Sequence, residues 1–132
     1  MTSEPVWVET AAVGHIHREL IAQFGGLGGV RDAGMLESAL ARPKNLWHHG
    51  EGSVFRLAAA CAYGIAMNHP FIDGNMRAAF VVSLLFMELN GYSFMAGELE
   101  CARGFLSLAA GDIDEAELAG WFERWSSPQA SE

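Results

Sequence analysis

His69-Pro70-Phe71-Ile72-Asp73-Gly74-Asn75-Met76-Arg77 separates the two most apolar stretches of the chain. Before it, Ser53 stands where a cap belongs, followed by Phe55, Leu57, Ala58, Cys61, Ala62, Ile65 and Ala66. These are apolar over most of a helix's circumference, so that helix is expected to be central. After the segment, Phe80, Val81, Leu84, Leu85 and Leu89 carry a second helix from Asn75 to a stop at Asn90-Gly91. Two buried helices flanking a short polar loop are the frame for everything else.

Towards the N-terminus, Val13, Ile16, Leu20, Ile21 and Phe24 recur at three- and four-residue spacing behind Thr10, which is expected to cap the helix. Gly25-Gly26 stops it. Gly25 to Gly29 reads as a glycine-rich connection and not as a P-loop, because no Lys-Ser/Thr follows and a helix precedes it. Asp32 then caps a short helix through Met35, Leu36, Ala39 and Leu40 that is expected to end before Pro43. Pro43 to Gly52 lacks helical periodicity and is expected to be a loop or flap, with Trp47-His48-His49 a candidate surface for a protein substrate.

Beyond Tyr92 the pattern predicts a short extended piece to Met95, then helices around Glu98 to Ala109 and Ile113 to Trp125. Asp112 with Glu115 resembles a capping box, and Trp121, Phe122 and Trp125 have the helical spacing of core residues. The expected fold class is all-α. It is a compact bundle of about six helices in one domain over residues 1–132, with the active-site loop between two central helices.

Composition narrows the function. Half of the 132 residues are apolar, enough for one core. A formal net charge of −8, with Lys44 the only lysine, excludes non-specific nucleic-acid binding, which needs clustered cations. Cys61 and Cys101 lie in apolar runs and read as buried free thiols, which suits the cytoplasm. Met1 to Pro5 lacks the basic-then-apolar pattern of a leader, and Ala78 to Leu89 is far shorter than the ~20 residues that cross a bilayer, so no membrane association is expected.

The loop carries the chemistry. Asn75, Met76 and Arg77 open a helix, where unpaired N–H groups and the positive end of the dipole attract an anion. Gly74 removes a side chain that would keep a phosphate away from those amides, and Arg77 adds a fixed cationic fork. Asp73 would repel a bare phosphate but suits one bridged by Mg²⁺. His69 supplies an imidazole, the side-chain type suited to take a proton from an attacking hydroxyl, while Phe71 is expected to anchor the loop in the core. Each residue singly is explained by capping or a turn; the combination is not. Metal sites built on His48, His49, His69 and Asp73, or on His15 and His17, lack zinc-ligand spacing.

His-x-Phe-x-Asp-x-Asn-x-Arg between apolar helices resembles the Fic/Doc signature. Gly26 to Asp32, Leu36 to Pro43 and Met87 to Tyr92 resemble the same family, so the likeness spans most of the chain. Met76 and Phe80 stand where AMP-transferring members carry Gly and a second Arg, which places the chain nearer the Doc branch. That resemblance implies a toxin of a toxin–antitoxin pair that uses ATP and Mg²⁺ to phosphorylate a hydroxyl of elongation factor Tu. It implies His69 as base, Asp73 as the metal-side carboxylate, and Gly74, Asn75, Met76 and Arg77 at the phosphate.

Two positions depart from the Doc pattern: Met76 replaces the usual Lys and Met67 a frequent basic residue. Removing such a donor commonly costs on the order of 10²–10³ in rate. A Fic/Doc domain that binds its antitoxin without transfer activity, or one that transfers AMP, are the alternatives. The inhibitory Ser/Thr-x-x-x-Glu-Gly/Asn pattern is absent from the sequence, so inhibition is expected from a separate antitoxin.

Overall fold

The computed structural model describes residues 3–130; Met1, Thr2, Ser131 and Glu132, part of the expected single domain and, at the start, of the leader reading, lie outside them. Six helices form in chain order: α1 (Thr10–Phe24), α2 (Ala33–His48), α3 (Val54–Asn68), α4 (Asn75–Leu89), α5 (Glu98–Ala110) and α6 (Glu115–Arg124). Two short strands, β1 (Tyr92–Phe94) and β2 (Ser126–Pro128), pair antiparallel, with Tyr92 opposite Pro128 and Phe94 opposite Ser126. The expected all-α bundle is what forms, with this small ribbon added. No helix among the described residues is long and apolar enough to cross a membrane.

Helix α3 is the axis of the molecule and packs against α2, α4 and α6. Its composition explains why. Ala58, Ala59, Ala60, Ala62, Gly64 and Ala66 are all buried, and side chains this small let three helices approach one rod. At Gly64 the approach is closest: a Cβ there would lie 3.1 Å from the Cα and carbonyl oxygen of Ala39 on α2. Ser53 caps α3 by accepting from the Arg56 N–H, as expected.

Helix α2 does not stop before Pro43 but runs to His48 with Pro43 buried inside it. Proline mid-helix forfeits one backbone bond and costs ~3 kcal/mol. Here Leu40, Pro43, Leu46 and Trp47 lie on the inward side, and continued burial of Leu46 and Trp47 against the core offsets that loss. The flap expected over Pro43 to Gly52 therefore shrinks to the turn after His48, and Trp47 is half-buried packing. Two caps are also displaced. Glu9, without a side-chain bond, precedes α1, and Thr10 is already helical. The capping box of α6 is Asp114 with Glu117, because the Asp112 N–H is spent on Ser107 O at the end of α5.

Trp121 and Phe122 join Phe80, Phe94 and Phe105 in one aromatic cluster, as core spacing implied. At the end of α4, Asn90 clamps the N-terminal segment, accepting from Val6 N and donating to Val6 O, while Trp7 stacks on Phe86. Gly91, at φ +96°, turns the chain into β1. Both cysteines are free. Cys61 is buried, and burial pushes its thiol up to about 12. Cys101 is half-buried rather than buried, and its thiol is raised by partial burial and then by Glu100 and Glu98.

Gly64→Val should lower stability by about 1–3 kcal/mol in denaturant unfolding through overpacking against Ala39. Gly120→Ala, where a Cβ meets nothing, should be neutral or stabilising by up to ~1 kcal/mol. A thiol reagent at neutral pH should label Cys101 slowly and Cys61 only on unfolding.

Candidate active site

The loop from His69 to Gly74 is held by the side chain of a residue that follows it. Asn75, in the first turn of α4 and 8% exposed, accepts from Phe71 N–H at 2.9 Å and donates through Nδ2 to Phe71 O at 3.0 Å. Both polar groups of the Phe71 backbone are thus satisfied in a place where water cannot reach them. Asn75 was expected at the phosphate, among the residues that open the helix. The structure assigns its side-chain amide to the loop, and only its backbone N–H remains for an anion.

Phe71 is buried, as expected of an anchor, and it lies flat on the ring of His17 from α1, with centroids 3.8 Å apart and planes 6° from parallel. His17, 2% exposed, also bonds the Asp73 carbonyl through Nε2 at 2.7 Å. Since a carbonyl only accepts, Nε2 carries the proton. His17 was weighed in the sequence only as a metal ligand and its role here was missed. The available signal was a polar residue four positions after Val13 on the apolar side of α1.

Gly74 has φ +74° and stands as the N-cap of α4 without a side-chain bond. A Cβ there would meet Ile21 at 3.3 Å and His17 at 3.6 Å, so glycine is demanded by the turn and by the closeness of α1 rather than by access for phosphate. With no capping side chain, the N–H groups of Asn75, Met76 and Arg77 are left for whatever enters in front of them.

The glycine-rich connection is more than a spacer. It crosses the loop antiparallel, with Val30 bridged to Phe71, Ile72 N–H donating to Gly29 O, and the N–H groups of Arg31 and Asp32 both donating to Pro70 O. Asp73 is tied to it as well: Oδ2 accepts from Leu27 N–H at 3.2 Å, and Oδ1 from Gly74 N–H at 2.9 Å. Gly26, at φ +114°, passes so close that a Cβ would sit 2.8 Å from Asp73 Oδ2. The carboxylate is therefore aimed by backbone amides.

His69 caps the end of α3 in the left-handed region, at φ 47° and ψ 56°, and its side chain is exposed. Its ring has no hydrogen-bond partner among the described residues. His69, Asp73, Gly74, Asn75, Met76 and Arg77 line one cavity of about 410 Å³ together with Ile72 and Phe105, so the residues singled out in the sequence converge. Arg77 is exposed and rests over the Phe24 ring, 4.0 Å from its centroid. Arg77 and Phe105 also belong to a neighbouring, almost wholly apolar cavity of about 430 Å³ with Leu20, Phe24, Phe80 and Leu106. Met76 is half-buried in the first wall, and Met67 is exposed on α3.

The donor set suits a nucleotide with Mg²⁺. Asp73 offers hard carboxylate oxygens on the cavity wall, each accepting one backbone N–H, and no grouping of three or more metal-ligating side chains exists among the described residues. One carboxylate plus phosphate oxygens and water is how Mg²⁺ is commonly held.

Known proteins resemble this chain over most of its length. A family model described as Fic/DOC family matches residues 7–87, which takes in α1 to α3, the loop and most of α4. The chain is 36% identical over 107 residues to Toxin Doc of Mycolicibacterium smegmatis, covering 74% of this chain and 82% of that protein. It is 29% identical over 110 residues to Protein kinase doc of Escherichia phage P1, covering 83% and 86%.

His17→Ala should cost about 2–4 kcal/mol in chemical denaturation, combining a cavity with an unpaired Asp73 carbonyl. His17→Phe keeps the stack and deletes the donor, and should cost less, about 1–3 kcal/mol.

Proposed function

The chain belongs to the Fic/DOC family, and from that premise we propose that it is a Doc-type toxin transferring the terminal phosphoryl group of ATP to a hydroxyl of elongation factor Tu. The observation that carries this reading is the exposed His69 imidazole on the same cavity as the unpaired N–H groups that open α4. A base and an anion seat on one wall are what phosphoryl transfer to a hydroxyl asks of a protein.

Bound ATP with Mg²⁺ supplies the phosphoryl group and part of the charge neutralisation, with Asp73 as the residue to hold the metal. His69 takes the hydroxyl proton on its ring as the oxygen attacks. The N–H groups of Met76 and Arg77, and the Arg77 guanidinium once it leaves the Phe24 face, bind the oxygens on which charge builds. The Asn75 and His17 bonds keep these groups from drifting apart. An antitoxin that inhibits in trans is the proposed partner, and the exposed Phe24 and Leu106 beside Arg77 give it an apolar footing.

Phe80 supports phosphate over AMP transfer. It is 8% exposed within the aromatic cluster, so the position that carries a second Arg in AMP-transferring relatives is committed to packing here. One observation favours the alternative of a binding domain without transfer: Met76 places an apolar side chain in the cavity wall where Doc-like sequences have a Lys.

The test is incubation of the full chain with γ-labelled ATP, Mg²⁺ and elongation factor Tu. Label should appear on the factor and fall by about 10²–10⁴ in His69→Ala. Met76→Lys should raise transfer by up to ~10². Silence from the native chain and from Met76→Lys would sink the kinase reading, and an adduct with the mass of a nucleotide monophosphate would replace it with AMP transfer.

A further inference from the structure

We infer that Arg31 is a positioning residue for the His69 imidazole, acting from the glycine-rich connection through the last carbonyls of α3. The inference rests on the reading of His69 as the base. His69 is the one non-glycine residue with positive φ among the described residues, and it precedes Pro70, a position normally driven to extended backbone. Two local preferences therefore oppose the observed conformation. That backbone sets the direction of the Cα–Cβ bond from which the exposed ring projects.

What holds the backbone is a run of three carbonyls, all taken by adjacent residues of the connection. The Arg31 guanidinium donates through Nη2 to Asn68 O at 2.9 Å and through Nε to His69 O at 2.7 Å. Pro70 O accepts from the N–H groups of Arg31 and Asp32 at 2.7 and 3.0 Å. The donor is itself fixed, since Val30 is bridged to Phe71 and Asp32 caps α2 through Met35 N–H. From the other side, Asn68 Nδ2 donates to Met35 O, so the end of α3 is also tied to the start of α2.

The chemistry calls for arginine in particular. Helix α3 has no basic residue in its last turn, so its negative end has no cation of its own and Arg31 supplies one. The two carbonyls belong to consecutive residues, and a planar fork reaches both at once where an ammonium reaches one. Freed from Arg31, His69 has reason to relax to negative φ, which swings its Cβ and ring away from the Asp73 side of the cavity.

The test uses the full chain labelled at histidine, with Arg31→Ala and the charge-conserving Arg31→Lys beside the native sequence. In both variants the His69 Cα and Cβ chemical shifts should lose the signature of positive φ while melting stays cooperative. Turnover should fall about 10²-fold in Arg31→Ala with KM for ATP unchanged, and Arg31→Lys should recover only part of it. His69 shifts that stay at native positions in both variants, or turnover and KM that deteriorate together in both, would overturn the assignment. If neither the native chain nor Met76→Lys transfers phosphate, the kinase reading fails by itself and the chemical shifts alone decide the role of Arg31.

Discussion

The double hydrogen bond between the Asn75 side chain and the Phe71 backbone is the constraint on which the site depends. It closes a tight loop inside a dry interior, where an unpaired N–H or C=O would cost as much as the loop gains from burying Phe71. It also turns the residue best suited to cap α4 inward. The helix start is left to Gly74, which has no side chain to offer, and the first-turn amides stay open. One side chain thus stabilises the loop and keeps its anion seat vacant of the protein's own groups.

Around that constraint the site is assembled in layers from distant parts of the chain. Helix α1 forms a plate beneath the loop through His17 and Ile21, near enough to Gly74 that no Cβ could be accommodated comfortably. The connection from Gly25 to Asp32 lies over it and supplies backbone donors to Asp73 and Pro70. Helices α3 and α4 fix its two ends through a core of small and aromatic residues. The polar backbone of a short loop needs many partners, and here they are neighbouring backbone groups, the buried Asn75 and His17 side chains and the Arg31 guanidinium.

The parts of the molecule governed by a single period were legible beforehand. Helices α3 and α4, their stop at Asn90-Gly91 and the caps at Ser53 and Asp32 follow from apolar spacing and short-range hydrogen bonding. Pro43 misled because a local rule lost to tertiary burial of Leu46 and Trp47. The strand β2 left no trace in Ser126-Ser127-Pro128, since its pairing is with Tyr92 to Phe94, over thirty positions away. At the site, the convergence of His69, Asp73 and Arg77 was readable from their spacing, whereas the duties of Asn75, His17 and Arg31 were not. Each depends on a partner that only folding brings near: a buried backbone, a ring on another helix, the end of α3.

Helix α4 has one further consequence. Its first turn faces the candidate cavity, while its far end receives both ends of the described chain, Val6 through Asn90 and Gln129 through the carbonyls of Glu88 and Gly91. Fifteen residues of helix put about 22 Å between those two places. An affinity handle, dye or surface tether attached beside Val6 or Gln129 therefore leaves from a common region remote from the candidate site. The proximity of these two described segments also makes the protein a natural candidate for circular permutation, with the candidate site on the opposite pole.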